Sequence, residues 1–215
     1  MKAAALFRKP LQSLIPFAAF VSCSAWAHPG HDEHVSGFVA GIAHPLFGAD
    51  HLLAMLAVGL LAARLGGRAV WGVPLAFMLS MALGALLAFA GIRAPFVEPL
   101  AAASVLMFGL ALCARIAGRG PAAGDARAPT LTFVPAVAVA MLVASFAIFH
   151  GLAHGAELPA HAAPIDYFAG FLLSTGLIHA AGIALALLIG AGLNRQRAAG
   201  VPLALAGVWL LAGAF

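Results

Sequence analysis

The sequence predicts an all-α membrane protein, a bundle of six transmembrane helices that follows a cleaved signal peptide. Three observations predict it. Of the 215 residues, 64% are hydrophobic and only 8% are charged, against about 25% charged residues in a soluble domain. The apolar residues fall into six blocks after residue 36, each close to the ~20 residues that a bilayer core requires. The few basic residues sit between those blocks on alternate sides, the bias expected of membrane loops.

Residues 1–27 read as a secretory signal peptide. Lys2, Arg8 and Lys9 give a basic start, residues 11–23 an apolar stretch interrupted by Pro16, and Ala25-Trp26-Ala27 a small-x-small cleavage site. Lipoprotein cleavage before Cys23 is a second reading, for which Phe20-Val21-Ser22 is a poor lead-in. An uncleaved anchor is a third, and it leaves residue 28 on the same side. The two cysteines, Cys23 and Cys113, have no partner at metal or redox spacing, so neither a disulfide nor a thiolate metal site is expected.

Residues 28–36 form a histidine-rich leader, expected in the periplasm. His28, His31 and His34 alternate with Asp32 and Glu33, a composition suited to collecting metal ions. The plainer reading is a solvated polar spacer.

Residues 37–215 form the six-span permease domain, with spans at 37–63, 69–91, 95–117, 131–154, 167–193 and 199–215. Starting outside, Arg64 and Arg68, then Arg115, Arg119 and Arg127, then Arg195 and Arg197 all fall inside, and only Arg93 falls outside. This predicts a multi-pass protein of a bacterial inner membrane with its mature N-terminus periplasmic. Basic residues so dispersed exclude a nucleic-acid surface. The outer segments carry Asp32, Glu33, Glu98, Glu157 and Asp166 instead, a rim that attracts cations. The 24 glycines predict close helix contacts, with Gly151-x-x-x-Gly155 as one small-xxx-small pattern. Pro45, Pro74, Pro135 and Pro202 fall near span starts, and Pro45 predicts a kink or break beside His44. Three spans lie on each side of the 118–130 loop, so the halves would be oppositely oriented. That follows the logic of inverted-repeat transporters, although no sequence match relates the halves.

Two polar stretches interrupt the apolar spans. One is His44-Pro45-Leu46-Phe47-Gly48-Ala49-Asp50-His51, in the first span. The other is Phe149-His150-Gly151-Leu152-Ala153-His154-Gly155-Ala156-Glu157, at the end of the fourth. An Asp at mid-span costs about 2.5–3.5 kcal/mol on insertion scales, so such residues mark a site or a pathway. Helical residues four or seven apart share a face. His44 and His51 would thus project from one stripe with Asp50 beside them, and His150, His154 and Glu157 from another. At 1.5 Å per residue His44 lies ~10 Å deep, and His51 and the fifth-span His179 ~20 Å deep. All can converge between the outer mouth and the midplane. His179 alone reads equally as ligand or as interhelical hydrogen bonder, and His161 as a polar loop residue. Met55, Met78, Met81, Met107 and Met141 read as core or lipid-facing filler.

Imidazole and carboxylate donors without thiolate suit Ni(II), Co(II) or Zn(II) better than Cu(I), and Mg or Ca would take oxygen donors alone. Asp50 is either a ligand or the acceptor that orients a histidine. The chemistry implies a divalent metal ion as cargo, with lipid around the spans and no prosthetic group. Proton competition at the histidines leaves proton coupling open, as is homo-oligomer formation. An intramembrane zinc hydrolase, with Asp50 or Glu157 as general base, is the alternative from another class. The rim-to-midplane ladder and the lack of H-E-x-x-H speak against it. A metal sensor that binds without transport is a third reading. No G-x-x-x-x-G-K-[ST] motif is present, so ATP hydrolysis would need a partner protein.

At these residues the chain resembles the HupE/UreJ family of hydrogenase and urease accessory nickel permeases. The first-span pattern is matched by His44 and Asp50-His51, and the F-H-G-x-A-H-G-x-E pattern by Phe149 to Glu157 in full. The resemblance spans essentially the whole mature chain and its leader. It implies a six-helix secondary carrier for Ni2+, or for Co2+ as in some relatives, serving hydrogenase or urease maturation proteins. It implies no enzyme activity. The residues it carries over are His44, Asp50, His51, His150, His154 and Glu157.

Overall fold

The computed structural model describes residues 37–114, 116–117, 134–158, 163–190 and 193–214. The expected signal peptide, the leader with His28, His31 and His34, and the loop residue His161 lie outside the described residues. Seven helices account for almost everything described. They are α1 (Gly37–Phe47), α2 (Ala49–Leu65), α3 (Ala69–Phe89), α4 (Val97–Cys113), α5 (Ala136–Ala156), α6 (Pro164–Ile189) and α7 (Leu193–Gly213). A two-residue parallel pairing joins β1 (Ile116–Ala117) to β2 (Val134–Pro135) at the two ends of the central loop.

This is a membrane protein. Helices α3 and α6 and residues Val137–Ala156 of α5 are long and apolar enough to cross a bilayer. Helices α1 and α2 together make a fourth such unit, bent by 82°. Helix α4 and the Arg197–Gly213 part of α7 are apolar but shorter. Outward faces are rich in leucine: Leu79, Leu83 and Leu86 of α3 and Leu177 and Leu188 of α6 are all exposed.

The first span corrects an expectation. Residues 37–63 are not one helix, and the break is not at Pro45, which stays inside α1. It comes at Gly48, whose backbone is extended (φ −86°, ψ 113°). A Cβ there would crowd His51 Nδ1 at 2.9 Å and Asp50 Oδ1 at 3.3 Å. Glycine therefore permits the close seating of the Asp50–His51 pair against it.

Helix α2 runs through the centre, with Ala54, Met55, Ala57, Val58, Leu61 and Ala62 wholly buried. Phe77 and Met81 of α3, Phe108 of α4 and Phe171 of α6 close the core around it. Of the methionines expected as core or lipid-facing filler, Met55 and Met81 are core, and Met107 and Met141 face outward.

Three backbone-to-backbone seams hold the bundle, and each uses glycine from both helices. On α1–α2 against α6, a Cβ at Gly41 would overlap the Tyr167 carbonyl, and one at Gly182 the Leu56 carbonyl. On α3 against α5, Gly84 meets the Ile148 carbonyl and Gly151 that of Met81. On α4 against α7, Gly109 meets the Ala204 backbone and Gly207 that of Leu106. Small residues let helices approach this closely in lipid, where no hydrophobic gain draws them together.

At the end of α2 remote from Asp50, Arg64 turns inward instead of lying free in a loop. Its guanidinium donates to the carbonyls of Leu112 and Ala114 at the end of α4. Arg197 Nε donates to the Cys113 carbonyl at 2.8 Å. Two cations thus satisfy three carbonyls where the α4 dipole is negative.

Gly151→Ala should destabilise the purified protein by about 1–3 kcal/mol, the usual cost of forcing volume into a packed core. Gly72→Ala is the matched control, because a Cβ there meets nothing within 4 Å. A thermal melt in detergent in which both variants behave alike would contradict the seam.

Candidate metal centre

The centre is built where the start of α2 meets the end of α5. On α5 each motif histidine precedes a glycine. Gly151 and Gly155 press on Met81, Ala85 and Ala88 of α3. Adjacent helical residues point about 100° apart, so His150 and His154 turn off that seam toward α2. There they meet His51: ring centroids are 5.0 Å apart for His51–His150 and 4.3 Å for His51–His154.

Two donor groups result. In the inner group His51, His150 and His154 are all buried, and one nitrogen from each lies within 4.8 Å of the others. The outer group joins His44, His154 and Glu157 under the same limit. His154 belongs to both. In the outer group His44 Nε2 lies 3.1 Å from Glu157 Oε2 and 3.1 Å from His154 Nδ1. His154 Nδ1 is 3.4 Å from the same carboxylate oxygen. The Glu157 side chain is 36% exposed and that of His154 is fully buried, so the outer group opens to the surface and the inner one does not. Glu157 stands just past the end of α5. Burial works to raise its pKa, but hydrogen bonds from His154 and His44 outweigh it and hold the carboxyl below its ordinary range, hence charged.

Asp50 lies against His51. Its Oδ1 lies 2.6 Å from His51 Nδ1 and accepts the His51 backbone N–H at 2.9 Å. It orients His51 and joins neither donor group. That leaves His51 Nε2 without a hydrogen-bond partner, together with His150 Nδ1 and His154 Nε2. Each ring of the inner group thus keeps one unpartnered nitrogen, and imidazole nitrogen is a donor that late transition-metal ions accept.

Five of the predicted ligands, His44, His51, His150, His154 and Glu157, therefore converge. His44 and His51 do not do so as a stripe on one helix. They face each other across the Gly48 break, with ring centroids 6.3 Å apart. His179 does not join them. It is buried, with both ring nitrogens unpartnered, and packs edge-on against Phe77 at 5.1 Å. The face of α6 that reaches the groups carries Tyr167, 5.9 Å from His44, and Phe171, 4.2 Å from His154. Sequence reasoning missed these two and Ser104, whose Oγ is 2.9 Å from His150 Nε2. Tyr167 is the only tyrosine in the chain and Ser104 the only hydroxyl residue of α4, which are the signals that could have drawn attention to them.

Fold and site define the class: an all-helical membrane protein with a buried imidazole cluster opening to one face through a carboxylate. The chain belongs to the HupE/UreJ family, whose model, described as HupE / UreJ protein, matches residues 17–210. It is 42% identical over 191 residues to Protein HupE of Rhizobium leguminosarum bv. viciae, covering 88% of this chain and 91% of that protein. No solved structure matches. The family consists of accessory transport proteins and not enzymes, which removes the hydrolase alternative.

Asp50→Asn keeps the volume but replaces the carboxylate that His51 Nδ1 faces. Nickel affinity of the purified protein, measured by calorimetry, should fall about 10- to 100-fold, the usual cost of losing such an orienting group. An unchanged affinity would remove Asp50 from the centre.

Proposed function

We propose that this chain is a secondary permease that carries Ni2+ inward across the bacterial inner membrane, for delivery to hydrogenase or urease maturation proteins. The observation that carries the reading is the pair of donor groups linked by His154, one opening to the surface and one buried. An ion entering at Glu157 and His44 can pass to His51 and His150 by way of His154, the residue common to both groups. A stepwise exchange keeps the ion coordinated where the surroundings are apolar. A closed structural site needs no second group on its approach.

In this reading the mature chain has six spans, with α4 and α7 crossing beside the four longer units and α1–α2 counting as one. Residues 1–27 are removed, and residues 28–36 gather ions outside through His28, His31 and His34. The guanidiniums of Arg64 and Arg197 then mark the cytoplasmic end. His179 is the next imidazole inward, across the Phe77 ring from His150, with Phe77–ring distances of 5.7 Å and 5.1 Å. It lines a recess of about 350 Å³ between α3 and α6 with Val70, Pro74 and Met78. Co2+ is the second cargo that this nitrogen and oxygen donor set would accept.

Metal-starved cells expressing the chain should accumulate radiolabelled nickel, with cobalt the better competitor and zinc the poorer. His51→Ala and His150→Ala, at matched membrane abundance, should abolish uptake. No accumulation above empty cells for any of the three metals would sink the permease reading. His179→Ala should slow uptake while leaving nickel binding to the purified protein intact; a loss of binding instead would put His179 in the centre itself.

A further inference from the structure

The inner group has a regularity that its motif residues do not explain. Each of its three imidazoles has one nitrogen engaged and one free. His51 Nδ1 lies 2.6 Å from Asp50 Oδ1, His154 Nδ1 lies 3.1 Å from His44 Nε2, and His150 Nε2 lies 2.9 Å from Ser104 Oγ. The nitrogens without a partner are His51 Nε2, His154 Nε2 and His150 Nδ1, and one nitrogen of each ring lies within 4.8 Å of the others. A histidine ligates through a bare lone pair, and the bond made by its other nitrogen decides which lone pair is bare. Ligation through the unpartnered Nδ1 of His150 requires that the ring carry its proton on Nε2.

Ser104 sits in the middle of α4 and is fully buried. A serine hydroxyl has one proton to give. Ser104 Oγ lies 2.6 Å from the Ala101 carbonyl one turn back and donates to it. With that proton committed, Oγ meets His150 only as an acceptor, so His150 Nε2 is the donor and His150 Nδ1 is left bare. We propose that Ser104 is a positioning residue of the metal centre, holding His150 in the Nε2–H tautomer and aiming its bare Nδ1 at the space shared with His51 and His154. The proposal rests on the permease reading in taking that space as a metal site.

A hydroxyl in this place also fits the charge of the site. Asp50 and Glu157 already set two negative charges beside the groups. With three neutral imidazoles, a divalent cation cancels them. A third orienting carboxylate would leave an uncompensated charge in apolar surroundings, which is costly. Serine fixes the third imidazole without adding one.

The test is nickel calorimetry on the purified full-length chain in nanodiscs, comparing the unaltered protein with Ser104→Ala and Ser104→Thr. Ser104→Ala should bind nickel about 10- to 100-fold more weakly, and Ser104→Thr, which keeps the hydroxyl, should recover most of the loss. Affinity unchanged in Ser104→Ala, or lost equally in both variants, overturns the proposal. Nitrogen-15 NMR of the unaltered, metal-free protein with labelled histidine gives a readout that needs no serine variant to fold. The His150 signals, assigned by their loss in His150→Gln, should report the Nε2–H tautomer, and Nδ1–H would overturn the proposal. If the unaltered protein binds neither nickel nor cobalt, the permease reading falls and takes this proposal with it. A failure confined to the Ser104 comparison or the tautomer leaves that reading standing.

Discussion

The seam between α3 and α5 is the contact on which the rest depends. Lipid offers no hydrophobic reward for bringing two helices together, so the association must come from dispersion and close fit. Gly84, Gly151 and Gly155 supply that fit by letting backbone touch backbone. The motif on α5 alternates histidine with glycine, and the two residue types divide the work. The glycines fix the rotation of α5 about its axis, and that rotation sends His150 and His154 toward α2. Helix α2 is held in turn against α6 through Gly59 and Gly182, which places His51 at the same depth. The cluster of three imidazoles thus follows from where side chains are missing as much as from where they are present.

The centre also shows how a polar cluster is accommodated in an apolar protein. Its carboxylates are not in the middle. Asp50 lies at the first turn of α2, where exposed backbone N–H groups favour negative charge, and Glu157 lies beyond the end of α5. The imidazoles of His51, His150 and His154 occupy the interior, walled by Phe77 and Phe171. Asp50 is matched to His51 at 2.6 Å, and Glu157 lies at the more exposed rim.

Much of this was legible in the sequence, for reasons that differ from residue to residue. Apolar blocks near 20 residues long announce helices in lipid, and the observed helices fall close to those blocks, although α7 begins at Leu193 and not near residue 199. The spacing of His150, His154 and Glu157 is local and reads directly as one face. The relation of His44 to His51 was read correctly in outcome but through the wrong geometry. Spacing by seven presumes a continuous helix, and the chain reaches the same proximity by folding back at Gly48. His179 was misplaced because depth can be counted along a helix while rotation cannot. Packing turns Tyr167 and Phe171 of α6 toward the groups and His179 toward Phe77. Ser104 was invisible because its partner is 46 residues away and one serine in an apolar helix carries no pattern.

The three seams have a further consequence. Number the helical units one to six, with α1–α2 as the first and α7 as the last. The seams then join one with five, two with four, and three with six. Exchange the first three units for the last three, and the list becomes four with two, five with one, and six with three. It is the same list. The network of contacts is its own image under permutation of the halves, even though their sequences no longer match. A contact network with that property is what two structurally repeated halves of three units each produce.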